Sequence, residues 1–208
     1  MPKLILVRHC RTLWNESGRY QGISDIELSP AGLQEAEMLR GCLGEQAFDA
    51  AYCSDLKRAV QTAQAIVGDR DMELVRCKEL RELDFGDYEG LTFAEIEQRN
   101  PGSQWWSARD GNATLPGGES ILQLTDRVGG FLNDLRNSGQ DGIVLIVTHG
   151  GVIRALICHL LGLGLEHWWK MVIDSGSVTT VDMYPEGNLL VHLNEVCHLK
   201  HLRFPACR

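Results

Sequence analysis

Two kinds of hydrophobic pattern alternate along the 208 residues of this chain. Short, continuous apolar runs are typical of buried strands in a parallel sheet, and apolar residues three or four positions apart are typical of helices that pack against it. The alternation predicts an α/β fold, a three-layer αβα sandwich with a mostly parallel central sheet. The strand pattern occurs at Lys3–Val7, Phe48–Cys53, Leu74–Cys77 and Ile143–Val147, and the helix pattern at Pro30–Leu43, Asp55–Val67 (capped by Ser54-Asp55), Glu119–Arg136 and Gly151–Leu161.

The other segments predict a loop, a cap and late strands within a single domain over residues 1–208. The polar stretch Cys10–Ser29 predicts a long loop, and long loops inside compact domains are commonly functional. Residues 87–118 break into short helical pieces at Thr92–Arg99 and Gln104–Arg109, which predicts a small helical cap insertion. Late strands are predicted at Trp169–Ile173, Ser177–Met183 and Leu189–Leu193, with a hairpin turn over Pro185–Asn188.

Two histidines stand directly after predicted strands. His9 follows Arg8 at the end of the first strand, and His149 follows Thr148 after Ile143–Val147. The carboxyl ends of parallel strands share one edge of the sheet, and open α/β sheets bind their ligands at that edge. Two histidines and an arginine at one crevice predict an anion site.

The composition of the chain indicates which class of ligand such a site would bind. Hydrophobic residues make up 44% of the chain, and the formal net charge is −8 without a basic run. We therefore expect a small-molecule anion drawn by local cations, and no nucleic acid. The chain opens directly on a strand and has no apolar run near the ~18 residues of a membrane span, so we expect no signal segment, no membrane and a cytoplasmic location. The sequence leaves monomer and homodimer open.

Cysteine usage points away from disulfides and metals. The seven cysteines include no C-x-x-C pair, which predicts neither a disulfide framework nor a structural zinc site. The one cluster of zinc-type residues has a spacing that fits no compact metal motif; it comprises Cys197, His198, His201 and Cys207. We expect no metal and no cofactor.

Four linked motifs resemble the histidine phosphatase (phosphoglycerate mutase-like) superfamily, in the order of that family and over nearly the whole chain. Four motifs in order are far more specific than any one of them. They are Leu6-Val7-Arg8-His9 with Thr12; Cys53-Ser54-Asp55-Leu56 with Arg58-Ala59 and Thr62-Ala63; Leu80 with Glu82, Phe85-Gly86 and Glu89-Gly90; and Thr148-His149-Gly150-Gly151. The resemblance implies a phosphomonoester substrate and a phosphohistidine intermediate.

The resemblance implies a catalytic cluster of four residues. His9 becomes phosphohistidine, which suits a neutral imidazole with one ring nitrogen free and the other held as a donor. Arg8 and Arg58 supply forked cationic donors to the equatorial oxygens of the transferring phosphoryl group. His149, expected to be protonated, completes the cluster.

Four further residues follow from the same motifs. Asn15 matches the phosphate-contacting asparagine of the family, and Gly150 and Gly151 let the backbone at a helix start approach the phosphate. Glu82 is expected to be the general acid, its pKa raised by an apolar, partly closed site, and later the base that deprotonates water. Nearby carboxylates compete for that role, at Glu79, Asp84, Asp87 and Glu89.

One position departs from the family pattern. Cys10 stands where the family usually has glycine. If the position needs a positive φ, a β-carbon costs roughly 1–2 kcal/mol there; if not, the change is silent. The thiol either has a lowered pKa beside the arginines and is open to oxidation, or is buried and inert.

The choice within the family favours hydrolysis. Family mutases follow the acid glutamate with arginine and tyrosine contacts, whereas Leu83 follows Glu82 here. Three segments, Phe85–Gly90, Pro116–Ser120 and Val172–Gly176, resemble the α-ribazole phosphatases of cobalamin biosynthesis, which implies α-ribazole 5′-phosphate as the substrate. The alternatives are a broad-specificity phosphatase, then a phosphoglycerate mutase, or a catalytically silent phosphate-binding scaffold.

Overall fold

One mixed sheet of six strands organises the structure, a computed structural model that describes residues 2–102 and 111–200. The strands are β1 (Lys3–Arg8), β2 (Ala50–Ser54), β3 (Leu74–Cys77), β4 (Ile143–Thr148), β5 (Val178–Tyr184) and β6 (Gly187–Glu195). They lie in the order β3-β2-β4-β1-β5-β6. The first four are parallel, and β5 is antiparallel to both β1 and β6. The predicted fold class is confirmed.

Helices cover both faces of this sheet. They are α1 (Leu13–Glu16), α2 (Pro30–Leu43), α3 (Lys57–Val67), α4 (Phe93–Arg99), α5 (Ile121–Asn137) and α6 (Gly150–Leu161), with 3₁₀ turns at Lys78–Leu80, Gly86–Tyr88, Leu165–Lys170 and Cys197–Leu199. Residues of α5 and α6 form one buried apolar cluster, and residues of α2 and α3 form the other. Because β1 sends alternate side chains into each cluster, it is apolar at every core position.

Several predicted boundaries hold because their capping chemistry is local. Ser29 caps α2 by accepting the Gly32 N–H at 3.1 Å, with Pro30 in the first turn. Thr92 caps α4 in the same way. The predicted cap of α3 is wrong, since Leu56 precedes the helix without a side-chain cap bond and Asp55 instead accepts two hydrogen bonds from Arg81.

Other predictions need correction. Trp169–Ile173 is not a strand, because Trp168 and Trp169 belong to a 3₁₀ turn in which their rings pack edge to face. The loop Cys10–Ser29 contains the short helix α1, and the hairpin turn is confined to Pro185-Glu186. The strand predicted from Phe48 begins at Ala50. The predicted piece Gln104–Arg109 lies outside the described residues. None of the helices in residues 2–102 and 111–200 is both long and apolar enough to cross a membrane.

Candidate active site

The ends of β1 and β4 bring His9 and His149 together. Arg8 and Thr148 are in register, and the His9 N–H donates to the Thr148 carbonyl at 2.8 Å. The two imidazole rings lie edge to face, with centroids 5.1 Å apart. His149 is also the residue before α6, so the positive end of that helix opens beside both rings.

His9 is held as a neutral imidazole with one nitrogen open. Its Nδ1 lies 2.7 Å from the carbonyl oxygen of Cys10. A carbonyl only accepts, so the proton is on Nδ1 and the lone pair is on Nε2. Burial lowers the pKa of His9 well below its usual value, and the neighbouring Arg58 and Arg8 lower it further. An open lone pair on a neutral imidazole suits nucleophilic attack on phosphorus.

The expected protonation of His149 is wrong. Burial lowers the pKa of His149 well below its usual value, and Arg58, His9 and Arg8 lower it further. Arg58 Nε donates to His149 Nδ1 at 3.3 Å, so Nδ1 is an acceptor and the ring proton is on Nε2. His149 therefore offers the site a neutral N–H donor rather than a positive charge.

Arg58 is fully buried in the first turn of α3 and is fixed by three acceptors. Besides the bond to His149, its Nη1 donates to the Ser24 carbonyl at 2.8 Å and its Nη2 to the Gly22 carbonyl at 2.5 Å. Burial lowers the pKa of Arg58 to about 10, so the guanidinium stays charged at neutral pH. The loop that precedes α2 thus orients this cation.

Arg8 supplies the second guanidinium of the cluster. Its Nη1 donates to the Ile173 carbonyl at 2.6 Å. Burial lowers the pKa of Arg8, an effect that the negative charge of Glu82 opposes. The two arginines therefore reach the site from separate elements, β1 and α3.

Three buried nitrogen donors in the described part of the chain have no hydrogen-bond partner: Arg8 Nε, His149 Nε2 and Gln21 Nε2. A buried N–H without a partner costs about 1–3 kcal/mol, and a bound oxyanion would remove that cost. Gln21 is a further candidate for the site, one that the sequence interpretation missed. Its side-chain oxygen accepts the Thr12 hydroxyl at 2.7 Å, so its Nε2 remains as a donor. The signal was a polar side chain within the predicted functional loop.

Asn15 lies in α1, inside the same loop. Its Oδ1 accepts the Thr12 N–H at 3.1 Å, which completes a capping box at the start of α1. Because that oxygen is occupied, a phosphate contact from Asn15 would come from Nδ2. The short helix thus holds Asn15 and, through Thr12, Gln21 in one hydrogen-bonded group.

Glu82 is anchored at the start of α6. Its Oε2 accepts the Gly151 N–H at 3.1 Å, and its Oε1 accepts the Leu83 N–H at 2.9 Å. A Cβ at position 151 would lie 2.4 Å from Glu82 Oε1, so a side chain there would displace the Glu82 carboxylate. A Cβ at Gly150 would lie 3.6 Å from Arg8 Nε, an ordinary contact. Close backbone approach is therefore a property of Gly151 rather than Gly150.

A cavity of about 460 Å³ borders this site, and Arg8, Glu82, Gly150 and Gly151 form one part of its wall. Glu82 is the one acidic side chain on its walls within the described residues; Asp84 accepts the Gly86 N–H, and Glu89 accepts the N–H groups of Ile23 and Ser24. The remainder of the wall is aromatic or apolar except for Arg154, and comprises Tyr20, Phe85, Phe93, Trp168, Trp169 and Ile173.

Cys10 fits its position without strain. Its φ is not positive; in the described residues Asn194 is the one non-glycine residue with a positive φ. The thiol is fully buried, and burial, followed by the charge of Glu35, raises its pKa. Of the two expectations for this thiol, the structure supports the inert one.

The described residues contain no group of three or more histidine, cysteine or acidic side chains placed to hold a metal ion. In the cluster with zinc-type residues, His198 Nε2 lies 2.9 Å from the Gly176 carbonyl, which gives this ring a backbone partner. His201 and Cys207 lie outside the described residues.

The lowered pKa values predict neutral imidazoles in mildly acidic solution. Because the pKa of His9 and that of His149 lie well below 6.5, both rings should stay neutral as the pH falls through 6.5, and should gain a proton only at lower pH. NMR titration of the imidazole carbons in the ligand-free protein measures this. Arg58→Gln removes a neighbouring cation and should move both midpoints to higher pH. A His9 midpoint at or above 6.5 in the unaltered protein would contradict the prediction.

Comparisons with known proteins agree with this geometry. Residues 4–196 match the family described as the histidine phosphatase superfamily (branch 1). Phosphoserine phosphatase 1 of Hydrogenobacter thermophilus is 34% identical over 200 residues, which cover 96% of this chain and 95% of that relative. A 2,3-bisphosphoglycerate-dependent phosphoglycerate mutase of Cytophaga hutchinsonii is 36% identical over 205 residues, covering 96% of this chain and 94% of the mutase.

A solved structure is also similar. The α-ribazole phosphatase from Shigella flexneri superposes with a TM-score of 0.84 at 31% identity, over 93% of this chain and 96% of that one. The likeness therefore extends over most of both chains. The chain belongs to the histidine phosphatase superfamily, and it is an enzyme of the phosphatase type.

Proposed function

We propose that this protein hydrolyses small-molecule phosphomonoesters through a phosphohistidine at His9. The observation that carries the proposal is the state of the His9 ring, neutral, with Nδ1–H bound to the Cys10 carbonyl and the Nε2 lone pair open. Arg8 and Arg58 stand beside it as cations, and His149 as a neutral donor. Such donors stabilise the charge that develops on the phosphoryl oxygens in the transition state.

The reaction then has two balanced steps. In the first, the Nε2 lone pair of His9 forms a bond to phosphorus while the bond from phosphorus to the leaving oxygen breaks. Glu82 in its acid form gives that oxygen a proton, so the alcohol leaves neutral. In the second, a water oxygen attacks phosphorus and the phosphorus–nitrogen bond breaks. Glu82 takes the proton of the water, and inorganic phosphate departs.

The first candidate substrate is α-ribazole 5′-phosphate. The aromatic walls of the cavity, among them Tyr20, Phe85 and Trp168, suit a leaving group that carries a planar ring system. The likeness to the Shigella flexneri α-ribazole phosphatase supports the same choice. A phosphatase with broad specificity is the alternative if the aromatic wall accepts many leaving groups.

A second candidate is an ester whose leaving group bears a carboxylate. Arg154 is the observation that favours it. Its Nε donates to the Met171 carbonyl at 2.9 Å, and the guanidinium carbon lies 4.9 Å from the centroid of the Trp168 ring. Within the described residues the two Nη groups have no hydrogen-bond partner. A stacked guanidinium on a cavity wall suits bidentate binding of a carboxylate, and the similar Hydrogenobacter protein is a phosphoserine phosphatase.

A substrate panel distinguishes these candidates. We expect α-ribazole 5′-phosphate to give the highest kcat/KM, with phosphoserine and phosphoethanolamine as a matched pair that differs by one carboxylate. Arg154→Met should lower kcat/KM for phosphoserine by about 10–100-fold, the size of a lost charged hydrogen bond, and should leave phosphoethanolamine nearly unchanged. Equal effects on both esters would remove the carboxylate role of Arg154. Equal activity on every ester in the panel would indicate broad specificity, and phosphate release from none would refute the proposed function.

A further inference from the structure

Arg127 of α5 donates hydrogen bonds to the main chain of the segment that carries Glu82. We call residues 79–86 the acid loop. Arg127 Nη1 donates to the Glu79 carbonyl at 2.7 Å, and Nη2 donates to the Glu82 carbonyl at 2.9 Å. The side chain of Glu82 points the other way, to the Gly151 N–H. One arginine therefore holds the main chain of the very residue that the mechanism uses as acid and base.

Arg127 is itself held by Glu119. The two side chains form a bidentate ion pair, with Nε to Oε1 at 2.8 Å and Nη2 to Oε2 at 2.9 Å. Glu119 also pairs with the acid loop through its main chain, since its N–H donates to the Asp84 carbonyl at 2.9 Å. A planar fork with donors in fixed directions can bind two carbonyls and one carboxylate together, whereas an ammonium group cannot reproduce that geometry.

The segment Pro116–Ser120 also packs against the acid loop. A Cβ at Gly118 would lie 2.4 Å from the Asp84 carbonyl oxygen, so this segment packs backbone to backbone against the acid loop. The next residue, Glu119, carries the ion pair, and Ser120 caps α5 by accepting the Gln123 N–H at 3.1 Å. The conformation of this segment thus ties the start of α5, and with it Arg127, to the acid loop.

We propose that Arg127 is a positioning residue for Glu82, and that the Pro116–Ser120 segment holds Arg127 in place. The proposal rests on the proposed function of Glu82. Arg127 reaches Glu82 through the main-chain carbonyl of that residue, whereas the Glu82 carboxylate is bound by the N–H groups of Gly151 and Leu83. Its loss should let the carboxylate shift away from the leaving oxygen, and a misplacement of about 1 Å is enough to slow a proton transfer strongly.

The test is a double-mutant cycle measured on phosphoenzyme formation in a single turnover. Arg127→Met, Glu82→Gln and the double variant are compared on an alkyl phosphate, whose leaving group needs a proton, and on p-nitrophenyl phosphate, whose leaving group needs little. We expect Arg127→Met to slow the alkyl ester about 10-fold or more and the nitrophenyl ester much less. In the Glu82→Gln background it should add almost nothing. Arg127→Lys should recover part of the rate.

A matched control lies on the same helix. Arg136, near the end of α5, is exposed and outside this network, so Arg136→Met should leave both rates unchanged. Thermal unfolding shows whether Arg127→Met folds. If it does not, Glu119→Gln takes its place in the same cycle, because it weakens the ion pair that holds Arg127. Equal slowing of both esters, or full slowing in the Glu82→Gln background, would overturn the inference alone. If Glu82→Gln formed the phosphoenzyme from the alkyl ester at the wild-type rate, that result would instead refute the acid role of Glu82, and the inference with it.

Discussion

Replacing His9 by alanine should abolish phosphoenzyme formation and lower kcat/KM by on the order of 10⁴-fold or more, because the variant has no atom that can accept the phosphoryl group. The unaltered enzyme, quenched with base during turnover, should carry a phosphate that survives alkali and is lost in acid, as expected of a phosphorus–nitrogen bond. The Nε2 atom of His9 carries the open lone pair of the imidazole, and the cations Arg8 and Arg58 lie beside this ring. Mass spectrometry of the peptide that contains His9 locates the modification.

The control for this experiment is His192→Ala. His192 is exposed on β6, an edge strand of the sheet, and its loss should leave both the phosphoenzyme and the turnover unchanged. If His9→Ala retained turnover near the wild-type rate, covalent catalysis at His9 would be excluded. A phosphate that remained on the His9→Ala protein would point to His149 as the acceptor.

Replacing Arg58, even by lysine, should cost on the order of 10²-fold in the phosphorylation rate. The guanidinium makes three hydrogen bonds in different directions, to His149, Ser24 and Gly22, and so enters the site already oriented. Lysine keeps the charge but cannot make this set of bonds, because its donors radiate from one nitrogen. The His149 tautomer would also lose the donor that fixes it. Single-turnover kinetics with p-nitrophenyl phosphate measure the phosphorylation rate directly.

Arg70→Lys is the matched control for Arg58→Lys. Arg70 likewise donates to main-chain carbonyls, among them those of Ile66 and Val67, but it lies just beyond the far end of α3. A loss of rate in both variants, with an equal loss of thermal stability, would mean that Arg58 matters for folding rather than for the transition state. Rate loss confined to Arg58→Lys supports its place in the anion site.

The elements that carry the site could be predicted because their signals are local. β1 and β4 are apolar at every core position, since each is buried on both faces, and a histidine directly follows each strand. The parallel sheet then places both histidines at one edge. Ser29 at the start of α2 was equally readable, as a hydroxyl followed by proline.

The features that could not be predicted depend on distant partners. The neutral state of His149 comes from burial and from Arg58, 91 positions earlier in the chain. Gln21 is one polar residue in a polar loop, and only the orphaned Nε2 atom marks it. The apolar pattern over Trp169–Ile173 predicts a strand, but Trp169 and Ile173 instead line the cavity, because hydrophobic periodicity does not distinguish a paired strand from a cavity wall.

The position of β1 in the sheet also determines when the enzyme becomes competent. Within residues 2–102 and 111–200, β1 pairs with β4 and β5 alone, and Arg8 binds the carbonyl of a residue 165 positions later in the chain. During synthesis β1 therefore waits, with its apolar side chains unprotected, until β4 and β5 have been made. Such long-range closure slows folding and lengthens the time in which the nascent chain can aggregate or bind a chaperone. An incomplete translation product that stops before β5 would carry both histidines but would lack the strand that pairs with the other edge of β1.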